Sequence, residues 1–499
     1  MIKVLDWDVI FNLTAEILHR HNFTLHKHPT IILIIDGIVY KSLIVNYFYC
    51  KIINLENNSP CLYLCEKILN VLAMRKILPY AILFLLVSCS NDNEDRLIGG
   101  CKPPLPPNWL TSEQSGKLPV VLTDAEKRLA ASECDFSVNF FRTFMNDMEH
   151  ANPVVSTFSI FSQMGILANA AEDRERDNIL SALCVESGEE NLELLNSYCS
   201  SFIKGTKGQD VQAVFDYSSS VWSVGYQFDW VYKKKMRDFY ATEFQLSSHR
   251  GNEGREKVNK WIYYNCLYKF SYPDYKLLKY KLGGDQFFMN CSSFHALWGE
   301  GVNFDTFEID DFQRYGCSES ERNYLISTGS VANYYEYGPM EAIGLNYGSG
   351  NYELVAIKSS SQDIDIKELI AGMDATGMKS LFSSARKVTA SLKIMYIGGS
   401  FIGDIGKYLD NLGIDCLSGA GLTKAFSDGR PLKITDYLHV SRIEMNEVGC
   451  NATGNMMDKY GTEFPDEKVS MEFNRPFIYL VRETSTGTII LMGAVTSFS

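Results

Sequence analysis

The chain has 499 residues, of which 47 are Lys or Arg and 60 are Asp or Glu, so its formal net charge at pH 7 is −13. This excess of negative charge disfavours DNA or RNA as a partner, because binding to phosphates requires a basic surface. The length allows one large domain or two domains of ordinary size, and no internal repeat divides the sequence.

Residues 1–73 differ in character from the rest of the chain, since they show no sustained helical or strand period. Four histidines cluster there, namely His19, His21, His26 and His28. Their spacing fits no usual set of metal ligands, so we predict no metal site. We interpret residues 1–73 as a spurious upstream extension of the reading frame, and we expect translation to start at Met74.

Residues 74–88 have the pattern of a secretory signal peptide. A short basic start, Met74-Arg75-Lys76, precedes an apolar run from Ile77 to Val87 that is too brief to span a bilayer. A buried core helix would share the apolar run but would not account for the basic start. Because Leu86-Val87-Ser88-Cys89 resembles the bacterial lipoprotein signal, Cys89 is expected to carry the lipid. The resemblance implies an exported protein that is anchored in the outer membrane and faces the cell exterior.

Residues 89–122 are predicted to form a tether. Ser90 to Asp95 is an acidic run that resembles a surface-export tag, although an ordinary solvated linker has the same composition. Pro103-Pro104 and Pro106-Pro107 favour a stiff, extended chain. We place the folded domain at residues 123–499.

The first elements of that domain are helical. A capped helix is predicted to begin at Thr123-Asp124, and its aromatic and aliphatic residues keep the helical period. After it, Asn152 to Ile160 reads as a strand that enters a buried helix. Further elements follow in order: a strand at Val214–Val224, a basic helix at Asp229–Phe239, a strand at Phe288–Trp298 and a hairpin at Ala342–Ile357.

The C-terminal region contains a long polar loop. An alternating strand from Val440 to Met445 and another from Phe477 to Val481 flank about two dozen residues, which is long for an ordinary connection. Such a loop is either disordered or functional. One phase of its first half is small or apolar (Cys450, Ala452, Gly454 and Met456), and the other is mostly polar (Asn451, Thr453, Asn455 and Lys459). Asp458 shares the apolar phase.

These residues resemble the serpin family. His439, then Glu447 and Val448-Gly449, and finally Phe473–Phe477 and Ile490–Gly493, stand where that family has its hinge, reactive-centre loop and C-terminal strands. Upstream, Ser156 and Ser159 match the family's shutter serines, with Thr157 in place of the usual proline. Asn290 and Trp298 match a strand of its main sheet. The resemblance implies an α+β fold with a large mixed central sheet, smaller sheets, about nine helices and an exposed reactive loop.

The resemblance also implies a function, the inhibition of a serine or cysteine endopeptidase by a suicide-substrate mechanism. The protease cleaves the loop, forms an acyl-enzyme and is displaced when the loop inserts into the sheet. The catalytic residues belong to the protease, so the chain itself is expected to have neither enzymatic activity nor a cofactor. It is also expected to be a monomer. The implied hinge is Glu447, Gly449, Cys450, Asn451, Ala452, Thr453, Gly454 and Asn455, and the implied shutter and breach residues are Ser156, Ser159, Asn290, Trp298 and His439.

The bond that the protease would cut is predicted by counting along the loop. Counting from Gly449 with the family spacing places cleavage after Glu463, whereas counting back from Phe473 places it two residues later. Because Pro465 disfavours cleavage after Phe464, we predict Glu463–Phe464. Tyr460–Gly461 and Lys459–Tyr460 are the alternatives.

A second hypothesis is a non-inhibitory serpin-fold lipoprotein with a binding or structural role at the cell surface. Cys450 and Asp458 on the inward phase, together with the few alanines of the hinge, favour it. A hydrolase is disfavoured, because the chain has neither a G-x-S-x-G nor an H-E-x-x-H motif. Nine of the 13 cysteines follow Cys89 without paired spacing, so mainly buried thiols are predicted.

Overall fold

The computed structural model describes residues 117–146, 152–247, 250–266, 280, 282–314, 317–414, 419–450 and 463–496, with the backbone alone for residues 314 and 317–321. The helices of these residues are α1 (Asp124–Asn146), α2 (Thr157–Ala170), α3 (Asp173–Ala182), α4 (Glu189–Thr206), α5 (Trp230–Tyr240), α6 (Gly251–Asn265), α7 (Ile366–Gly372), α8 (Ala375–Ser383) and α9 (Gly406–Asn411). The strands are β1 (Val154–Val155), β2 (Ala213–Ser223), β3 (Glu243–Gln245), β4 (Gln286–Leu297), β5 (Thr306–Arg314), β6 (Cys317–Tyr337), β7 (Met340–Tyr347), β8 (Tyr352–Ser359), β9 (Arg386–Met395), β10 (Gly398–Asp404), β11 (Asp436–Glu444), β12 (Gly449–Cys450), β13 (Lys468–Phe473), β14 (Phe477–Glu483) and β15 (Ile489–Val495).

The described strands form two sheets. The larger has nine strands in the order β1-β15-β14-β8-β7-β6-β9-β13, with β5 paired to β6. The smaller has six strands in the order β10-β11-β4-β2-β3, with β12 paired to β4. Both sheets are mixed, because β11 runs parallel to β4 and β13 runs parallel to β9 while most other pairs are antiparallel. The α+β class and the mixed main sheet predicted from the sequence are confirmed.

Helix α2 is enclosed by other elements, and all 14 of its residues are buried. A largely apolar helix without any charged residue must be surrounded by other elements, which is why the sequence FSQMGILANA predicted a core position. Its N-terminus is capped by Ser156, whose side chain accepts a hydrogen bond from the backbone amide of Ser159. This cap fixes the start of α2 against β15 of the larger sheet and β4 of the six-stranded sheet.

The two faces of β4 pack against different cores. Phe288, Phe294 and Ala296 belong to the large core that contains α2. The alternate residues, such as Phe287 and Met289, belong to a smaller core with residues of α6. Since successive side chains of a strand point to opposite faces, even-numbered residues of β4 face α2 and odd-numbered residues face α6. This assignment decides which side chains of any added strand would be buried.

The structure adds two strands that the sequence analysis left inside the long loop, β12 and β13. Strand β13 lies at the edge of the larger sheet, where Met471 and Phe473 are buried while Ser470 and Glu472 are exposed. Its alternation was visible in KVSMEF, and the loop interpretation was wrong for this stretch. The described part of the chain contains no helix that is long and apolar enough to cross a membrane.

Candidate functional site

The site is built around the line where β4 and β11 meet. These strands pair in parallel from Asp436 opposite Phe287 to Arg442 opposite Ser293. At the middle of this ladder His439 lies opposite Asn290, and both side chains are completely buried. A polar pair at the junction of two strands must find its hydrogen-bond partners within the protein.

His439 finds a partner through each ring nitrogen. The backbone amide of Ser156 donates to Nε2 of His439 over 3.0 Å. Because an amide can only donate, Nε2 carries no proton, and the proton sits on Nδ1, which donates to Oδ1 of Asn290. Burial lowers the pKa of His439 to about 3, so the imidazole is neutral at physiological pH.

Two serines and a glutamine complete this network. The hydroxyl of Ser156 donates to the carbonyl of Ile490 over 2.7 Å and lies 2.7 Å from the hydroxyl of Ser159. Nδ2 of Asn290 donates to Oε1 of Gln163 over 2.7 Å and to the carbonyl of Ser159 over 3.4 Å. We call Ser156, Ser159, Gln163, Asn290 and His439 the shutter network. It joins α2, both strands of the parallel pair and, through Ile490, the larger sheet.

Trp298 lies just beyond the end of β4 and belongs to a second cluster. Its indole nitrogen donates to the carbonyl of Asn446 over 3.0 Å, and its backbone amide donates to the carbonyl of Val448 over 3.1 Å. The indole stacks on Tyr347 with ring centroids 4.5 Å apart. Eight residues of extended strand separate Trp298 from Asn290, a distance of about 26 Å, so the two clusters are separate.

The turn that follows β11 is held by Asn446 and Glu447. Oδ1 of Asn446 accepts hydrogen bonds from the amides of Val448 and Gly449 over 2.9 and 3.0 Å. The hydroxyl of Tyr396 donates to Glu447 over 2.9 Å. Burial, and then the carboxylate of Glu447, raise the pKa of Tyr396 to about 12, so this hydroxyl remains a donor at neutral pH.

The turn leads directly into β12, which occupies the top of the parallel pair. Gly449 lies opposite Leu297, and Cys450 lies opposite both Ala296 and Met445, in antiparallel orientation to each. A Cβ atom on Gly449 would come within 1.9 Å of the carbonyl oxygen of Ala296, so only glycine fits. Cys450 is completely buried on the α2 face, as the alternation of the loop predicted. We call Trp298 and Asn446 to Cys450 the hinge cluster.

The other end of the loop is anchored to the larger sheet. The carbonyl of Pro465 accepts a hydrogen bond from the hydroxyl of Thr389 over 2.6 Å, three residues before β13 begins at Lys468. Glu463 and Phe464 precede this anchor and are exposed, with Phe464 exposing 48% of its surface. A protease could therefore reach the Glu463–Phe464 bond.

The structure places most of the predicted site residues in these two clusters. Ser156, Ser159, Asn290 and His439 belong to the shutter network. The hinge cluster contains Trp298, Glu447, Gly449 and Cys450. Asn451, Ala452, Thr453, Gly454, Asn455 and the lipidation candidate Cys89 lie outside the described residues. Among the described residues, no group of three or more His, Cys, Asp or Glu side chains could hold a metal ion.

Two contributors were not found from the sequence. Gln163 is a polar residue of the buried helix α2, and a buried amide needs a hydrogen-bond partner, so its presence there is a signal of such a partner. Tyr396 carries no such signal, because its contact with Glu447 joins positions 51 residues apart. Thr157, which replaces the proline expected there, donates its hydroxyl to the carbonyl of Ile489 over 2.9 Å.

Comparison with known proteins gives a consistent result. The family model described as "Serpin (serine protease inhibitor)" matches residues 131–498. Rat neuroserpin is 23% identical over 386 residues, which cover 72% of this chain and 90% of that protein. Pig alpha-1-antitrypsin is 32% identical over 89 residues, which cover 16% of this chain and only 20% of the relative.

Solved structures with the same fold include a thermophilic serpin, tengpin, in the native state, with a TM-score of 0.64 and 20% identity over 77% of this chain and 96% of tengpin. Human thyroxine-binding globulin matches with a TM-score of 0.63 and 15% identity over 75% of this chain and 99% of the globulin.

Proposed function

This chain belongs to the serpin family, and from that premise we propose that it inhibits a serine or cysteine endopeptidase as a suicide substrate, by cleavage and insertion of its reactive loop. The observation that carries the proposal is β12. Its described residues, Gly449 and Cys450, pair with β4, and Cys450 also pairs with Met445, which directly follows β11, in the antiparallel orientation that an inserted strand requires. Insertion would extend this strand from Cys450 toward the N-terminal ends of β4 and β11, which are called the lower end of the sheet.

The register of β12 specifies where each following residue would go. Continued along β4, the pairing of Cys450 with Ala296 brings Met456 opposite Asn290. Continued along β11, the pairing of Cys450 with Met445 brings Met456 opposite His439. Asn290 and His439 are themselves opposite each other, so both registers agree. Insertion would thus replace the whole β4–β11 ladder and would separate the His439 and Asn290 side chains.

The same register bears on the inward carboxylate of Asp458. It would lie opposite Phe288 and Tyr437, and Tyr437 is the second residue of β11. This position is close to the lower end of the sheet, where a carboxylate can reach water more easily than at the shutter network. Phe288 and Tyr437 are themselves buried, so Asp458 is the residue of the inward phase that least favours complete insertion.

The register also discriminates among the candidate scissile bonds. Lys459 would lie opposite Phe287 and Tyr460 opposite Gln286, the first residue of β4. A protease bound covalently to either residue would collide with the sheet before the strand had inserted fully. Cleavage after Glu463 leaves three residues, about 10 Å of extended chain, between the sheet and the protease. This supports Glu463–Phe464 and a glutamate-specific target.

The proposal is tested by incubating the protein with glutamate-, trypsin-, elastase- and subtilisin-like proteases and analysing the products by denaturing electrophoresis and mass spectrometry. We expect a covalent complex with a glutamate-specific protease and a released peptide that begins at Phe464. A Glu463→Ala variant should lose the complex with that protease. Cleavage at Glu463 without any complex would favour the non-inhibitory alternative.

We further propose that the protein is exported and anchored through a lipid on Cys89, with the acidic and proline-rich tether of residues 89–122 holding the domain outside the outer membrane as a monomer. The basic start, apolar run and cysteine of residues 74–89 support this proposal. Metabolic labelling with a radioactive fatty acid should label the natural protein and should not label a Cys89→Ala variant.

A further inference from the structure

Phe464 is a large apolar side chain that the fold leaves in solvent. It exposes 48% of its surface and directly follows Glu463, on the far side of the predicted scissile bond. Phe473 and Phe477, farther along the same segment, are buried, and their ring centroids lie 5.1 Å apart. A single exposed phenylalanine is ordinary on a protein surface. Phe464 differs because the residues that follow it are held in place from several directions.

Thr389 of β9 holds the chain just after Phe464 through two hydrogen bonds. Its hydroxyl donates to the carbonyl of Pro465 over 2.6 Å, and its backbone amide donates to the carbonyl of Glu467 over 2.8 Å. Since alternate carbonyls of an extended chain point to the same side, both bonds fix one extended segment against β9. The path of β13 therefore continues from Lys468 back to Pro465.

The side chain of Glu467 provides a second attachment. Nε of Arg386 donates to its carboxylate over 2.7 Å. Arg386 also donates to Glu336 over 3.1 Å, and its guanidinium lies 4.4 Å from the ring centroid of Tyr334. The planar guanidinium is thus positioned by β6 and in turn positions the segment that follows Phe464.

Pro465 restricts Phe464 directly. Its ring fixes its own φ, and its Cδ confines the preceding residue to extended conformations. An extended backbone is the form in which a peptide pairs with an open strand edge of another protein. Because this side of the bond is already ordered, a protease that binds it loses less free energy in ordering the loop.

We propose that Phe464 is a specificity-determining residue, and that the target is a glutamate-specific endopeptidase with an apolar pocket for the residue after the cleaved bond. Thr389 and Arg386 are positioning residues, which hold the following segment so that the phenyl ring is presented to that pocket. The inference rests on the proposed function, since it concerns the protease that would cleave the Glu463–Phe464 bond. It adds a second requirement to the preference for glutamate.

The chemical step explains why this ring bears on the rate. The protease's nucleophile forms a bond to the carbonyl carbon of Glu463, and the bond from that carbon to the nitrogen of Phe464 breaks. The proton lost by the nucleophile passes to this nitrogen, which leaves as an amine. A ring that is seated in a pocket beside the reacting atoms helps to align the bond for attack.

The recognition of Phe464 is tested by the rate at which glutamate-specific endopeptidases cleave the intact full chain. The value of kcat/KM is measured by mass spectrometry for the product that begins at residue 464. The enzymes are first sorted with two peptides that span residues 459–468, one with the natural sequence and one with Phe464→Gly. With enzymes that prefer the natural peptide, Phe464→Ala should lower kcat/KM about tenfold, and Phe464→Leu should restore most of the loss.

Phe307→Ala is the matched control. Phe307 exposes 66% of its surface on β5, which is separated from β9 by β6, so its loss should leave the rate unchanged. Equal rates for Phe464→Ala and the natural protein with every enzyme would overturn the inference.

The positioning role of Thr389 has its own test. Thr389→Val keeps the branched shape but removes the hydroxyl, so kcat/KM should fall about threefold, and Thr389→Ser should restore it. The loss should become smaller when Thr389→Val is combined with Phe464→Ala, because the anchor acts through the ring. A merely structural role would give the same loss in both backgrounds, and that result would overturn the assignment of Thr389.

Cleavage and inhibition are read separately. If Phe464 governs cleavage but no covalent complex forms, the inference stands and the inhibitory mechanism fails. If the natural protein and Phe464→Ala form the complex at the same rate, the mechanism stands and the inference fails. Cleavage at another bond by every enzyme would overturn both the inference and the predicted scissile bond.

Discussion

His439 shows how one neutral side chain can connect three elements. It contacts Asn290 on the neighbouring strand and the amide that starts α2, and both contacts require the neutral imidazole. Protonation of Nε2 would place a second N–H donor opposite the backbone amide of Ser156. The burial that lowers the pKa of His439 to about 3 therefore makes the shutter network sensitive to acid.

The stability of the native state should depend on pH through His439. Because its folded pKa lies below its unfolded value, the contribution is complete above about pH 6.5 and declines as the pH falls toward 3. Between pH 6.5 and 4.5 linkage predicts a loss of about 2 to 3 kcal/mol. Urea unfolding of the natural protein and of His439→Gln at several pH values checks this. In the variant, the part of the pH dependence of stability that is due to His439 should disappear. Identical slopes in the two proteins would contradict it.

Glu133 should have the opposite dependence. It is completely buried in α1, where it accepts hydrogen bonds from Ser137 and from the amide of Ile489, and burial raises its pKa to about 8. Its contribution is complete below about pH 4.5 and is lost as the pH rises toward 8, by on the order of 4 kcal/mol. Glu133→Gln should therefore unfold at higher urea than the natural protein at pH 8.5. The advantage should vanish at pH 5, and its persistence there would argue against titration of Glu133.

At the scale of elements, β12 depends on a glycine at position 449. Replacement of Gly449 by alanine brings Cβ within 1.9 Å of the Ala296 carbonyl, so the strand must leave β4. We expect the uncleaved protein to melt only about 2 to 3 °C lower, because few hydrogen bonds are lost, whereas the yield of covalent complex should fall severely. Gly372→Ala is the matched control, since its Cβ would meet no atom within 4 Å. Equal complex yields from both variants would exclude a role for β12.

The elements also show what could and could not be predicted from the sequence. Helix α2, strand β4 and the hairpin of β7 and β8 were predicted, because their apolar patterns are continuous and local. Strand β13 was missed, since its six residues lie in a polar stretch and are ordered by pairing with β9, about 80 residues earlier in the chain. The alternation at Cys450 predicted its buried face, but the depth to which the hinge has entered depends on contacts with Trp298 and Tyr396 that no local pattern indicates.

At the scale of the whole molecule, the uncleaved protein should be less stable than the cleaved one. Insertion of the loop would add about ten residues of ladder on both sides, and net gains of about 1 kcal/mol per hydrogen bond give roughly 10 kcal/mol. For a domain of this size, such a gain raises the melting temperature by on the order of 10 °C or more. Calorimetry before and after cleavage at Glu463 measures the difference. An unchanged melting temperature would remove the basis for inhibition.

The hydrogen bond from Thr389 to Pro465 limits how often one molecule could act as an inhibitor. After cleavage, Phe464 would stay at the upper end of the larger sheet, while Glu463 would travel with the inserted strand to the lower end of the other. Twelve residues of strand from Gly449 separate these ends by about 40 Å, so the peptide bond cannot be resealed. Every molecule would act once, and the number of proteases a cell can neutralise would equal the number of intact copies it has made.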